Sequence, residues 1–183
     1  MTTGGYAVIE RVMNSKCGLY GLDYYDLDLW PVAYTSWDYN GDDHCVIWII
    51  RDELEGILIY RVTDLENNPS MGYMGYHELR QEYDEHGQTT RMAYYDLDGN
   101  LVCPKWEEYA VAEWDRVYID TGKYTETRIA SFRVYDENYE PAMCGDGYHE
   151  LRREYDEKGR MIWECKYDTQ GNVLKEKVQN WDN

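Results

Sequence analysis

Between residues 149 and 168, apolar and polar side chains alternate with a period of two in two consecutive runs. In the first, His149, Leu151 and Tyr155 alternate with Glu150, Arg152, Glu154 and Asp156; in the second, Met161, Trp163, Cys165 and Tyr167 alternate with Ile162, Glu164, Lys166 and Asp168. Two such runs separated by Asp-Glu-Lys-Gly predict a β-hairpin whose polar residues occupy an outward face. Tyr148, Leu151 and Tyr155 also fall at helical spacing, and the residues of HELRRE are good helix formers, so short helices stay open as an alternative.

The same phrase is written twice. GYHELRQEYDEHGQ (75–88) and GYHELRREYDEKGR (147–160) agree at eleven of fourteen positions, and the match extends without a gap over 75–102 and 147–174 at fifteen of twenty-eight. Upstream, YRVTDLENNPSM (60–71) matches FRVYDENYEPAM (132–143) at the same offset of seventy-two residues. GYAVIE (5–10) and DYYDLDLWPV (23–32) resemble a worn copy beginning seventy residues before Gly75. Compact units near 5–32, 75–104 and 147–174 thus alternate with longer ones near 33–74 and 105–146, followed by a tail, 175–183. The expected fold is mainly β: one repeat domain over 1–183, in which tandem antiparallel hairpins form a twisted or layered sheet.

REYDEKGRMIWECKYDTQGNVL (153–174) resembles the tyrosine-aspartate, or RHS-type, hairpin repeats of bacterial proteins, in which a strand ending in Tyr-Asp turns at a Gly and returns to another Tyr-Asp and Gly-Asn. The resemblance covers the compact units and implies a curved or layered β scaffold. It implies nothing about activity, because fold does not carry function. Those repeats run for many copies around a shell, and this chain is too short to enclose anything.

The duplicated His77 and His149, each followed by Glu, suggest chemistry at first sight. A zinc-protease helix needs two His four apart beside a Glu, and HELRQE supplies one His. The expected role is structural, with each imidazole hydrogen-bonded to a neighbouring hairpin. DLDGN (96–100) opens like a calcium loop but has no third acid before the Gly and no closing Glu at the twelfth position; a tight turn with Gly at positive φ accounts for it and for Asp168–Asn172 alike. Ser15, Ser36, Ser70 and Ser131 lie in no nucleophile elbow, and no Gly-rich phosphate cradle occurs. No catalytic residue, metal site or cofactor is expected.

Composition changes the picture more than motifs do. The chain of 183 residues has 43% hydrophobic residues and 15% aromatic, with 20 Tyr and 7 Trp against one Phe, which is too apolar for a disordered acidic tail. Five cysteines (Cys17, Cys45, Cys103, Cys144, Cys165) without a C-x-x-C pair, and a start without a signal segment, lead us to expect a cytosolic protein with free thiols. No apolar run reaches the roughly 20 residues of a membrane span; the best, 46–50, has strand length.

Lys and Arg number 18 against 36 Asp and Glu, a formal charge of -18, and residues 1–146 alone hold 28 acids and 11 bases. Such a chain repels phosphates, so direct contact with nucleic acid or an anionic membrane is not expected, whereas a basic groove would attract it. The candidate partner-binding residues are Asp26, Asp28, Asp38, Asp42, Asp43, Asp52, Glu53 and Glu55 in a first acidic stretch and Glu107, Glu108, Glu113 and Asp115 in a second. Carboxylates along a sheet can stand in for backbone phosphates, and interleaved rings can supply flat contacts. In composition, size and lack of a signal the chain is similar to small phage-encoded nuclease inhibitors, including anti-CRISPR proteins. That resemblance implies a monomer or homodimer in the host cytoplasm, engaging a basic nucleic-acid-binding protein such as a CRISPR nuclease with its guide RNA. The alternative is a carbohydrate- or wall-binding module using exposed Tyr and Trp faces.

Overall fold

The computed structural model describes residues 6–12, 20–26, 33–36, 45–52, 56–63, 68–72, 74–120 and 122–181, with side chains from residue 56 onward. Every regular element in it is a strand: β1 (Tyr6–Val12), β2 (Tyr20–Asp26), β3 (Ala33–Ser36), β4 (Cys45–Asp52), β5 (Ile57–Thr63), β6 (Glu78–Tyr83), β7 (Thr89–Tyr95), β8 (Val111–Asp120), β9 (Thr125–Tyr135), β10 (Glu150–Tyr155), β11 (Met161–Tyr167) and β12 (Val173–Val178). Strands β1 and β2 pair with each other, and β3 to β12 form one open, antiparallel sheet in strict chain order. HELRRE is strand, so the helical spacing of Tyr148, Leu151 and Tyr155 was a coincidence of the repeat, and no helix occurs among the described residues.

Five turns explain the recurring Tyr-Asp. After Tyr83, Tyr95, Tyr135, Tyr155 and Tyr167 comes an aspartate whose Oδ1 accepts the backbone N–H groups two and four residues on, at 2.8–2.9 Å. Three residues after each of these aspartates the backbone enters the left-handed region: Gly87, Gly99, Tyr139, Gly159 and Gly171 have φ of 61–81°. This is a type I turn closed by a bulge, which lets a hairpin reverse while keeping the strand twist. The aspartates are therefore turn caps. The Asn100 N–H holds the Asp96 carboxyl, and the Glu140 N–H the Asp136 carboxyl, below the ordinary value.

The offset of seventy-two residues is also a register. Arg61 lies opposite Glu78 and Glu78 opposite Tyr95; Arg133 lies opposite Glu150 and Glu150 opposite Tyr167. After β5, β7 and β9 the chain does not turn straight back. It makes one isolated bridge, at Thr63–Pro69, Tyr95–Leu101 or Tyr135–Pro141, and then folds over the sheet before the next strand. Two of these connections close in the same way, with Gly72 N–H on the Tyr76 carbonyl and Cys144 N–H on the Tyr148 carbonyl, each 2.8 Å. Between β11 and β12 no such excursion occurs, and pairing runs on from Tyr167–Val173 to Trp163–Val178.

Residues opposite one another on antiparallel strands share a face. One face carries Leu79, Met92, Tyr94, Ala112, Trp114, Phe132, Val134 and Leu151, and the connections set Cys144, Tyr148 and Tyr109 against it to make a core. Ala93, Ala110 and Ala112 are fully buried, and such small residues let the overlying chain approach closely. The other face carries a lattice of Arg and Glu around a smaller apolar cluster of Ala93 and Val111, packed with Leu101, Cys103 and Tyr135. Here the outward placement expected of the polar residues needs correction: Glu78 is 4% exposed and Glu150 8%. A carboxylate alone would not be buried so far. Each is held by arginine from its own or an adjacent strand.

Candidate functional site

The duplicated histidines hold the connections down. His77 Nδ1 lies 3.0 Å from the Ser70 carbonyl oxygen, and His149 Nδ1 lies 2.8 Å from that of Val134 and 3.2 Å from that of Ala142. A carbonyl only accepts, so Nδ1 carries the proton in both rings; His77 thereby closes its own connection, and His149 ties its connection to β9. In DLDGN, Asp96 caps the turn and receives Asn100 Nδ2 at 3.2 Å as well. No group of three metal-ligating side chains occurs among the described residues. Ser131 Oγ donates to Asp115 at 2.5 Å, and Arg133 Nη2 reaches the same oxygen at 2.8 Å, a structural pair within the lattice. Cys103, Cys144 and Cys165 are free thiols.

The expected acidic surface divides in three. Asp28, Asp38, Asp42, Asp43, Glu53 and Glu55 lie outside the described residues, and Asp26 and Asp52 end β2 and β4, where the backbone alone is described. Glu113 and Asp115 lie on the lattice face, Glu113 half-buried and Asp115 exposed, and both have partners within the chain. Glu113 faces Arg91 at 3.8 Å and accepts the Tyr139 hydroxyl; Asp115 is bound by Arg133 and Ser131. Glu107 and Glu108 belong to the connection between β7 and β8. Glu107 is half-buried beside Tyr94 and Tyr109, whose hydroxyls are pushed up by burial and then by its charge, while Glu108 is exposed.

Sequence reasoning missed the most site-like feature. A groove of about 520 Å³ opens on the core face between the connections that precede β8 and β10. Its floor is Trp114 and Phe132, with ring centroids 5.4 Å apart and planes tilted by 39°. Tyr148 meets Phe132 edge-on at 6.2 Å and carries the Lys166 ammonium 4.1 Å above its own ring. Glu107 and Asp146 stand on opposite connections at the rim. Arg153 also lines the groove, with Nε 2.8 Å from Glu164. A partial signal for it existed in the repeat alignment: at the offset of seventy-two, Phe132, Asp146 and Arg153 replace Tyr60, Met74 and Gln81, while Ile129, Tyr148 and Leu151 are shared by both copies.

A second cleft, of about 510 Å³, lies by the last hairpin between Trp163 and Trp181, with Glu154 and Asn180 along it. Both indole N–H groups already have partners, Trp163 with Glu176 at 2.7 Å and Trp181 with the Met161 carbonyl at 2.8 Å. Their rings, not their polar edges, are what the cleft offers a ligand, with Arg160 already 5.5 Å over one face of Trp181. No protein-family model matches the chain, and no curated protein is similar to it. Among the described residues no helix is long and apolar enough to cross a membrane.

Proposed function

We propose that this is a non-catalytic binding protein whose acidic, open sheet engages a basic nucleic-acid-handling protein and blocks its nucleic-acid channel. Its most concrete form is a phage-type anti-CRISPR inhibitor of an RNA-guided nuclease. The observation that carries this reading is the charge of -18 on a sheet scaffold. Five aspartates are needed for turns and several glutamates for the lattice, yet the excess persists beyond them, in Glu107 and Asp146 beside an aromatic groove, in the exposed Glu108 and in the dense acids of 26–55. Association steered by such a field weakens steeply with salt, because the Debye length falls from about 30 Å at 0.01 M to about 3 Å at 1 M. The test is capture of candidate nucleases in rising salt, with charge reversal at Asp42, Asp43, Asp52, Glu53 and Glu55. Absence of binding at low salt, or binding indifferent to that reversal, would sink the proposal.

One observation favours a second reading. The Trp163 and Trp181 cleft, with a carboxylate and an amide along it, suits a sugar ring stacked on an indole. Glycan binding that survives 1 M salt and is lost in Trp181→Ala would promote a carbohydrate-binding module over the inhibitor.

A further inference from the structure

We infer that the groove over β8, β9 and β10 is a receptor for an arginine side chain of the basic partner. This rests on the function proposed above and gives it an anchor point. The groove combines three properties that a guanidinium needs together. Trp114 and Phe132 offer partly exposed ring faces. Glu107 and Asp146 supply carboxylates from opposite walls. The nearest built-in cations are already engaged, Arg153 by Glu164 and Lys166 by the Tyr148 ring.

In the other copy of the repeat the described counterparts of these residues make packing contacts instead. There Gln81 Nε2 donates to Met92 Sδ at 3.7 Å, the Tyr83 hydroxyl donates to Gln81 at 2.8 Å, and Tyr94 packs on Tyr76 at 5.1 Å. At the offset of seventy-two, Met92 and Tyr94 become Glu164 and Lys166. The second copy therefore exchanges packing residues for charges that draw Arg153 aside. What remains is an aromatic floor with an acidic rim. A planar guanidinium can stack on a tilted pair of rings and bond a carboxylate in its own plane at once, while a compact, strongly hydrated ammonium does so poorly. The groove should prefer arginine to lysine, which a diffuse acidic surface would not.

The full chain is titrated by calorimetry with two nine-residue peptides of equal length and charge, one bearing arginine and the other lysine, at 0.1 M salt. The arginine peptide should bind about fivefold to tenfold tighter. Trp114→Leu should erase that preference, and Glu107→Gln with Asp146→Asn should weaken the arginine peptide while the melting temperature stays near that of the parent. Equal binding of the two peptides, or a preference that survives both sets of substitutions, overturns the inference. If salt-sensitive capture of a basic nuclease persists in those variants at full strength, the groove is excluded as its anchor and the acidic-surface proposal stands without it.

Discussion

Arg61 and Glu78 sit opposite each other on β5 and β6, and Arg61 directs both Nε, at 2.8 Å, and Nη2, at 2.7 Å, onto one oxygen of the Glu78 carboxylate. Arg80 takes the other oxygen at 2.5 Å and lies 4.5 Å over the Tyr95 ring. In the second copy Arg133 turns to Asp115 instead, and Glu150 is held by Arg152, whose Nε and Nη2 each lie 2.9 Å from one of its oxygens. Arg133 Nε is left buried without a hydrogen-bond partner among the described residues. One sequence motif thus builds two charge networks of different completeness.

Glu78→Gln should therefore cost more than Glu150→Gln, about 3 kcal/mol against about 1–2 kcal/mol in urea unfolding, because it leaves two arginines facing a neutral group. Burial alone would raise the Glu78 carboxyl, but the Arg61 and Arg80 guanidiniums hold it below its ordinary value of 4.5. A lowered folded-state value stabilises above the unfolded value and loses that stabilisation as pH falls through the folded one. Wild type should lose stability below pH 4.5 faster than Glu78→Gln does. Parallel acid limbs for the two proteins would show the pair to be inert.

The hairpins were legible in the sequence and the connections were not, for a physical reason. Alternation and the Asp-x-x-Gly turn are local, so Met161–Tyr167 and its neighbours could be read from period two and one glycine. Burial of Glu78 depends on an arginine seventeen residues away across a strand pair, which no local pattern reveals. The fold-over of Tyr109 and Tyr148 depends on main-chain contacts with distant strands, and with it goes the groove. Among the acids, most of those that cap turns could be told from the others by the glycine three residues on, but those paired with arginine across strands could not. Asp96 was recognisable as a turn residue by its Gly99; Asp115 was not recognisable as an arginine's partner.

Turn chemistry gives a graded test. Gly171 has φ of 80° and open space where an added methyl group would stand, so Gly171→Ala should cost about 1 kcal/mol from backbone conformation alone. Gly56 has φ of 65°, and a Cβ there would lie 2.9 Å from the Tyr83 carbonyl oxygen. Gly56→Ala should cost roughly 3 kcal/mol, since a backbone atom cannot move aside like a side-chain tip. Denaturation midpoints that fall equally would mean the Tyr83 contact yields freely.

The histidines should report on folding. His149→Ala removes a donor shared by the Val134 and Ala142 carbonyls, and should lower stability by about 1–2 kcal/mol. Amide exchange should then quicken in residues 142–149, the connection that His149 pins, more than in β11. Unchanged exchange there would remove the pinning role.

Thiol labelling should separate the cysteines. Burial, and then the Glu137 carboxylate that accepts its S–H at 3.2 Å, push the Cys103 thiol up to about 11. At pH 8 its thiolate fraction is then about a thousandth, and the alkylation rate should climb about tenfold per pH unit up to pH 10. Glu137→Gln should speed labelling at pH 8. Cys144 and Cys165, both buried, should label only as the sheet opens, which mass spectrometry of partly labelled chains would distinguish.

Glu108 and Asp115 separate recognition from architecture. Both are expected to meet a partner and both are exposed, but Asp115 on β8 also holds Arg133 and Ser131, whereas Glu108 lies on a connection. Asp115→Asn should shift the unfolding midpoint by about 0.5–1 kcal/mol, because its pair with Arg133 becomes neutral but was already screened by solvent. Glu108→Lys should leave stability within about 0.5 kcal/mol, as exposed substitutions do, while weakening capture of a basic partner several-fold at 0.05 M salt and far less at 0.5 M. Measured side by side, the two variants test whether the acids outside the lattice and the turns act on a partner. If Glu108→Lys leaves low-salt capture unchanged, Glu108 is not a docking residue, and the docking charge must lie at the groove carboxylates Glu107 and Asp146 or within residues 26–55.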